Sequence, residues 1–376
     1  MREMNNDQTM YNAREVQSDR ETISNKNKKE NMVSEIFAGI NSSDGYKPLI
    51  EGYVKNCDCV YILKGSPGCG KSTLLKRLFA KAVVKNERVT AVKCSSDPQS
   101  FDAVVFGDRG IAVADGTKPH VLEPSLPGVR EALINLSENL DAEVLLTNKE
   151  TLERLNSKKS LSYDCAYSFL TAGAKVAETE DLILSDGVDD GKLRVFCERF
   201  IKNRLKSQPD FRFSLLPAFC FCGQGFVFLP IGSKPVTYGV KDFCGLSELL
   251  LSQLCFQALE RGINTAIVPS PVNINKISGL FFIRDNILVL SERYMESASE
   301  KKINPLRFVY PEFLKQNRSK LKFLNKIYEE LLGQAREFFS DARSCHKGLE
   351  NIYTFANDFA KADEAADFLR REIFGE

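Results

Sequence analysis

Through the first half of the chain, short unbroken apolar runs alternate with longer stretches whose apolar residues recur at helical spacing. "CVYILK" (59–64), "RVTAVKC" (88–94) and "GIAVAD" (110–115) read as buried strands, and "AEVLLT" (142–147) as a fourth. "STLLKRLFAKAVV" (72–84) and "GVREALINLSENL" (128–140) carry the helical period. This alternation predicts an α/β fold, with a mostly parallel sheet covered by helices on both faces. From about 150 to 206 the pattern turns wholly helical, and "SQPDF" (207–211) reads as a linker. Residues 1–32 are polar and charged with few apolar anchors, which predicts a disordered arm.

The second half repeats the first. Ala38–Tyr46 ("AGINSSDGY") lines up with Ala218–Phe226 ("AFCFCGQGF"), and "IAVAD" (111–115) with "ILVLS" (287–291). In the helical tails Ile183, Asp189 and Lys192 fall on Ile352, Asp358 and Lys361. "YILKGSPGCGKSTLLKRL" (61–78) aligns with "TYGVKDFCGLSELLLSQL" (237–254) once one residue is deleted. Correspondences in one order along the chain imply duplication of a module. The expected units are 33–208 and 209–376, a length that suits two domains.

The first copy carries the chemistry. Gly65-Ser66-Pro67-Gly68-Cys69-Gly70-Lys71-Ser72 satisfies G-x-x-x-x-G-K-[ST], with an apolar strand before it and a helix after it. Glycines let the backbone approach an anion closely, and successive N–H groups then face one concavity. The helix start adds its dipole and free donors. Lys71 is expected to reach the β- and γ-phosphates, Ser72 to offer its hydroxyl to Mg²⁺, and Thr73 to touch the α-phosphate. Asp115, closing its strand, is the expected acid beside the metal, although an Asp-Gly turn would also place an aspartate there. Asp97 is a second candidate, to orient a water or share the metal, with an Asp-Pro turn as its alternative. His120, five residues past Asp115, suits proton transfer if its loop folds toward the phosphates, and is otherwise a loop histidine. Lys118 has a weaker version of the same case. "TNKE" (147–150) resembles a guanine-reading motif but lacks the closing aspartate, so ATP is the default nucleotide. In the second copy the sequence alignment puts Lys71 on Ser247, Ser72 on Glu248 and Asp115 on Ser291, which predicts loss of lysine, hydroxyl and acid together.

Composition narrows the partners. A net charge of +1 gives no broad field for nucleic acid or an anionic membrane. The eleven cysteines include two Cys-x-Cys pairs without the spacing of a zinc site, so they read mostly as small core residues of a reducing, cytoplasmic compartment. The most apolar run, "LLPAFCFCGQGFVFLPIG", is too interrupted to span a membrane.

Taken with the loop, "KCSSDPQSFDAVV", "GIAVADGTKPHVLEPSLPG" and "CAYSFLTAGAKV" resemble a bacterial P-loop ATPase-like family with two tandem nucleotide-binding modules. The likeness spans about 33–376, and Cys94–Pro98 and Asp115–His120 carry its most specific pieces. It implies ATP binding or hydrolysis. It also implies a phosphate loop in both halves, from which this chain departs in the second. The expected activity is Mg-dependent ATP hydrolysis at one site. Phosphotransfer to a small molecule or nucleotide, and nucleotide sensing without turnover, are the alternatives.

Overall fold

The computed structural model describes residues 33–376 apart from 139, 208–210, 296–298 and 300. The arm expected at 1–32 and most of the 207–211 linker lie outside the described residues. The first half runs β1 (Val33–Phe37), β2 (Gly39–Ser42), β3 (Gly45–Pro48), α1 (Ile50–Val54), β4 (Cys59–Lys64), α2 (Lys71–Val84), β5 (Val89–Lys93), β6 (Phe101–Phe106), β7 (Ile111–Asp115) and β8 (Glu131–Asn135). Three helices follow: α3 (Ala142–Thr147), α4 (Lys149–Ser185) and α5 (Asp190–Arg204). The second half runs β9 (Phe213–Leu215), β10 (Phe219–Cys222), β11 (Gly225–Phe228), β12 (Val236–Val240), α6 (Leu246–Glu260), β13 (Thr265–Pro269), β14 (Ile277–Phe282), β15 (Ile287–Ser291) and β16 (Lys301–Ile303). It closes with α7 (Pro311–Ala356) and α8 (Ala360–Phe374).

The two six-stranded sheets match strand for strand. One is ordered β1-β5-β6-β7-β4-β8, the other β9-β13-β14-β15-β12-β16 when read from its far edge. In each, the third strand is antiparallel to both neighbours and the other pairs are parallel. Both place a register shift at the same point, between Val92 and Lys93 and between Val268 and Pro269. Each sheet is therefore mostly parallel, as expected, but mixed, because β6 and β14, which sequence reading did not pick out as strands, run antiparallel to both neighbours.

Two further expectations are corrected. Residues 131–135 form strand β8, where a helix was expected over 128–140. Residues 142–147 form helix α3, where a strand was expected; the Asp141 carboxylate caps it by accepting from the backbone N–H groups of Glu143 and Val144. Short apolar runs do not separate an edge strand from a buried helical turn, and here the cap and the free edge beside β4 decided.

The helical arms are exchanged. Leu193, Cys197, Phe200 and Ile201 of α5 share a core with Leu250, Leu254 and Ala258 of α6, in the second half. Ala366, Leu369 and Ile373 of α8 share one with Leu74, Leu75 and Leu78 of α2, in the first. Each fully buried leucine is worth about 1.5–3 kcal/mol, so these helices belong energetically to the opposite sheet. The long helices α4 and α7 run antiparallel between the halves. Leu155 meets Gly348 at one end, where a Cβ would lie 3.0 Å from it, and Gly173 meets Tyr328 further along. Among the described residues no helix is long and apolar enough to cross a membrane.

Candidate functional site

Strand β4 ends in a loop whose three glycines, Gly65, Gly68 and Gly70, all have positive φ. At Gly68 the requirement is also steric. A Cβ there would lie 2.4 Å from Thr354 Oγ1 and 2.7 Å from the Glu350 carbonyl oxygen, both on α7. Ser66 is pinned beyond β8, its N–H donating to Ser137 Oγ at 2.7 Å. Cys69 is buried, and Pro67 is half-buried on the outer turn of the loop.

Helix α2 starts at Lys71 behind Gly70, which has no side chain to cap it. Among the described residues no acceptor is in place for the backbone N–H groups of Lys71, Ser72 and Thr73. These are the orphan donors of a helix start, open to an anion. Lys71 is buried and folds back over the loop. Its Nζ donates to the carbonyls of Gly65 (2.8 Å) and Ser66 (2.9 Å), 3.8 Å from Asp115 Oδ2. Asp115 Oδ1 accepts from the N–H and hydroxyl of Thr117, which leaves Oδ2 facing Lys71. Ser72 Oγ accepts from the Phe101 N–H at 3.0 Å, which ties the 97–100 loop to the start of α2. Thr73 is exposed one residue further on.

Asp97 accepts from Ser100 Oγ (3.0 Å) and from Arg343 Nη2 (2.7 Å), an arginine of α7. His120 does not face the loop. Its Nδ1 is 2.7 Å from Tyr46 Oη and its Nε2 is 2.8 Å from Asp102 Oδ2, with 5% of the residue exposed. Burial, reinforced by the Asp102 carboxylate, pushes the Tyr46 phenol above its ordinary range. Both ring nitrogens are thus committed to buried partners, and His120 pins its loop to the β2–β3 hairpin.

Sequence reading missed what the far half contributes. Arg343, His346, Glu350 and Thr354 recur along one face of α7: Arg343 meets Asp97, Glu350 and Thr354 lie against Gly68, and His346 pairs with Glu350 at 3.5 Å. A hydrogen bond from His346, with the charges of Lys71 and Arg343 behind it, holds the Glu350 carboxyl below the usual carboxylate range. Helical spacing alone marks such a stripe as amphipathic but does not say which sheet it meets.

In the second half the register is settled by geometry. Gly70 and Gly245 are both left-handed residues immediately before their helices, so Lys71 corresponds to Leu246 and Ser72 to Ser247. The lysine is absent, as expected. The hydroxyl is retained, which corrects the sequence alignment by one residue. Counted from the register-equivalent residues Leu63 and Val240, which pair with Asp115 and Ser291, the way to the helix is two residues shorter, and Asp242 turns into the helix start. Its carboxylate accepts from the N–H groups of Gly245 (3.1 Å) and Ser247 (3.0 Å) and from Ser247 Oγ (2.6 Å). Ser247 Oγ also lies 2.7 Å from Ser291 Oγ, where the first half has Ser72 and Asp115. Behind them Arg293, 3% exposed, pairs with Glu180 at 2.8 Å and lies 3.7 Å from Asp242.

No family model, no curated protein and no solved structure matches this chain. Among the described residues no group of three or more His, Cys, Asp or Glu side chains is placed to hold a metal ion. Ser72 with Asp115 suits a cation that keeps most of its waters and takes its other ligands from a phosphate.

Proposed function

We propose that each half is a P-loop-type module, and that the first binds a nucleoside triphosphate with Mg²⁺ over Gly65–Thr73 and hydrolyses it. ATP is the default nucleotide. The observation that carries this reading is the contrast between the helix starts: the donors of Lys71, Ser72 and Thr73 are open, whereas in the second half the Phe243 carbonyl takes the Leu246 N–H, the Asp242 carboxylate the Ser247 N–H and the Gly245 carbonyl the Glu248 N–H. Lys71, now on loop carbonyls, is placed to swing onto a phosphate that enters the same concavity. A magnesium ion held through Ser72 and Asp115 would neutralise charge on the phosphate oxygens. Preorganised N–H donors and Lys71 then stabilise the charge that develops as the phosphoryl group moves to water. Asp97, oriented by Arg343, is the carboxylate placed to direct that water. Because Thr354 and Glu350 lie against Gly68, nucleotide entry and release are expected to move α7 relative to the first sheet.

The test is phosphate release from MgATP with no acceptor present. Steady release that falls at least about 100-fold in Lys71→Ala supports the reading. Release that requires an added metabolite replaces hydrolysis by phosphotransfer, and an unchanged rate in Lys71→Ala removes the site.

A further inference from the structure

Helix α7 segregates its charge. From Phe313 to Tyr328 it carries five cations, Lys315, Arg318, Lys320, Lys322 and Lys326, and no acid. All five are exposed. Lys315, Arg318, Lys322 and Lys326 recur at steps of three, four and four residues, so they stand in one row on one face. The row is about 16 Å long, with successive cations about 4.5–6 Å apart along the axis. Among the described residues no ion pair or hydrogen bond engages the side chain of Lys315, Arg318, Lys320 or Lys322, and Lys326 lies 3.7 Å from the exposed Glu330.

The surrounding acids do not answer this row. Glu312 opens the helix before it begins, and Glu329 accepts from Asn325 after it ends. Asp242 and Glu292, which share a cavity wall with Lys322, are held by the start of α6 and by Lys302. Like charges one turn apart destabilise a helix, and an anion that repeats along the row relieves them. Phe323 stands among the cations, three residues from Lys320 and from Lys326, with 64% of its surface exposed. The apolar face of α7 is not free: Tyr328, Leu332 and Ala335 are buried with Ala166 and Leu170 of α4. A helix lying on a bilayer needs that face, so a membrane is not what the row fits.

We propose that this face of α7 is a docking surface for a single-stranded nucleic acid, with the row on successive backbone phosphates and Phe323 stacked on an unpaired base. A net charge of +1 hides the segregation, because it sums over the whole chain. The surface lies toward the start of α7, and the end of the same helix meets Asp97 and Gly68. It does not depend on how the Gly65–Thr73 loop is read.

The experiment is fluorescence anisotropy of a labelled oligothymidylate of about 15 nucleotides with the full chain, no nucleoside triphosphate present, over about 50–200 mM salt. Binding is expected, with log Kd rising against log salt at a slope of about 3 for four phosphate contacts. Lys315→Gln/Arg318→Gln/Lys322→Gln/Lys326→Gln is expected to weaken it at least about tenfold at the lowest salt and to flatten the slope, with the melting temperature unchanged because all four side chains are exposed. Phe323→Ala is expected to weaken binding and keep the slope. Lys71→Ala is expected to bind the strand as the parent does; loss there would place the strand on the phosphate loop and overturn the proposal. No binding at the lowest salt overturns it, as does binding that the quadruple variant leaves intact or that Phe323→Ala does not weaken. Polyglutamate of matched charge and phosphatidylserine vesicles are separate arms. Equal affinity for polyglutamate would make the row a general polyanion surface, and binding to vesicles without binding to the strand would assign it to a membrane; either result overturns the nucleic-acid assignment. Absence of MgATP turnover in the parent would refute the first-half reading without touching this one.

Discussion

The loops after β4 and β12 leave equivalent strands and arrive at equivalent left-handed glycines, Gly70 and Gly245, but they solve the same electrostatic problem in opposite ways. Both lead into a helix start with unmet N–H donors and a positive dipole end. The longer first loop keeps those donors vacant and sets a lysine beside them. The shorter second loop bends its own Asp242 onto the Gly245 and Ser247 N–H groups, has two serines where the first half has a serine and an aspartate, and backs the carboxylate with Arg293. The difference teaches that a helix start can be closed from within the chain, as in the second half, or left open, as in the first, where we propose a phosphate enters. A shorter loop and one internal carboxylate make the second helix start a self-contained structural joint.

The comparison is broken most severely by removing the cation of that joint. Arg293→Ala strands Glu180, which is fully buried and whose carboxyl burial already pushes up, without its partner. Breaking a buried pair costs about 3–5 kcal/mol, so a large fall in melting temperature is expected, with MgATP affinity per folded chain unchanged. A melt within a degree of the parent would show that the joint contributes nothing to the second half. In the first half the corresponding stabilisation is proposed to come from a bound nucleotide. MgATP at about a hundred times its Kd is expected to stabilise the chain by about 2.7 kcal/mol, with one nucleotide per chain, and Lys71→Ala is expected to abolish the shift. A second nucleotide bound in the parent but not in Leu246→Asp would sink the contrast between the loops.

Much of this was legible in the residues, and the misses have physical causes. The glycine-lysine loop was readable because strand, turn and helix each leave a local signature, and the hairpin and β7–β15 correspondences because equal offsets preserve pleat and register. Ser247 was misplaced by one residue, since only the left-handed glycine at the helix start fixes where a shortened loop gives back its register. Residues 131–135 and 142–147 were exchanged in type because a strand at a sheet edge and a capped helical turn are alike in apolar content. Arg343 and Glu350 were invisible for a different reason. Their partners lie far along the chain, and the exchange of helical arms between the halves is a tertiary fact that no local pattern records. His120 showed the limit of proximity arguments: a histidine five residues from an acid can be wholly engaged by a tyrosine and a second aspartate elsewhere.

The reach of the far half into the first loop gives a smaller, sharper test. Arg343→Ala removes the guanidinium from Asp97 without disturbing the phosphate loop itself. Turnover is expected to fall about tenfold, equivalent to about 1.4 kcal/mol, with little change in MgATP affinity. Arg343→Lys is expected to recover only part of it, because an ammonium does not reproduce the planar fork. Equal losses in affinity and turnover would mean that Arg343 merely holds α7 in place.

The smallest effect separates the two exchanged arms by their pH response. Arm α5 ends against the second half through Arg204, whose guanidinium lies 4.9 Å over Phe200 and donates to the Tyr238 hydroxyl at 3.0 Å. This contact contains no carboxylate. Arm α8 ends on the first half through the Glu376 carboxylate, which pairs with Lys81 of α2 and Lys85 just past its end. Those hydrogen bonds lower its pKa from 4.5 to about 2. A carboxyl lowered in the folded state stabilises it above its unfolded value, and the contribution fades as pH falls through the interval between the two. Glu376→Gln is therefore expected to melt slightly below the parent at pH 6. The gap should narrow as pH drops below about 4.5, while any gap between Arg204→Gln and the parent stays constant over the same range. Amide exchange along α2 gives the local readout, with faster exchange in Glu376→Gln at pH 6 confined to the last turns of α2 and α8. A Glu376→Gln gap that does not vary with pH would place the anchoring of α8 in its apolar face, Leu369 and Ile373, and make the two arms alike.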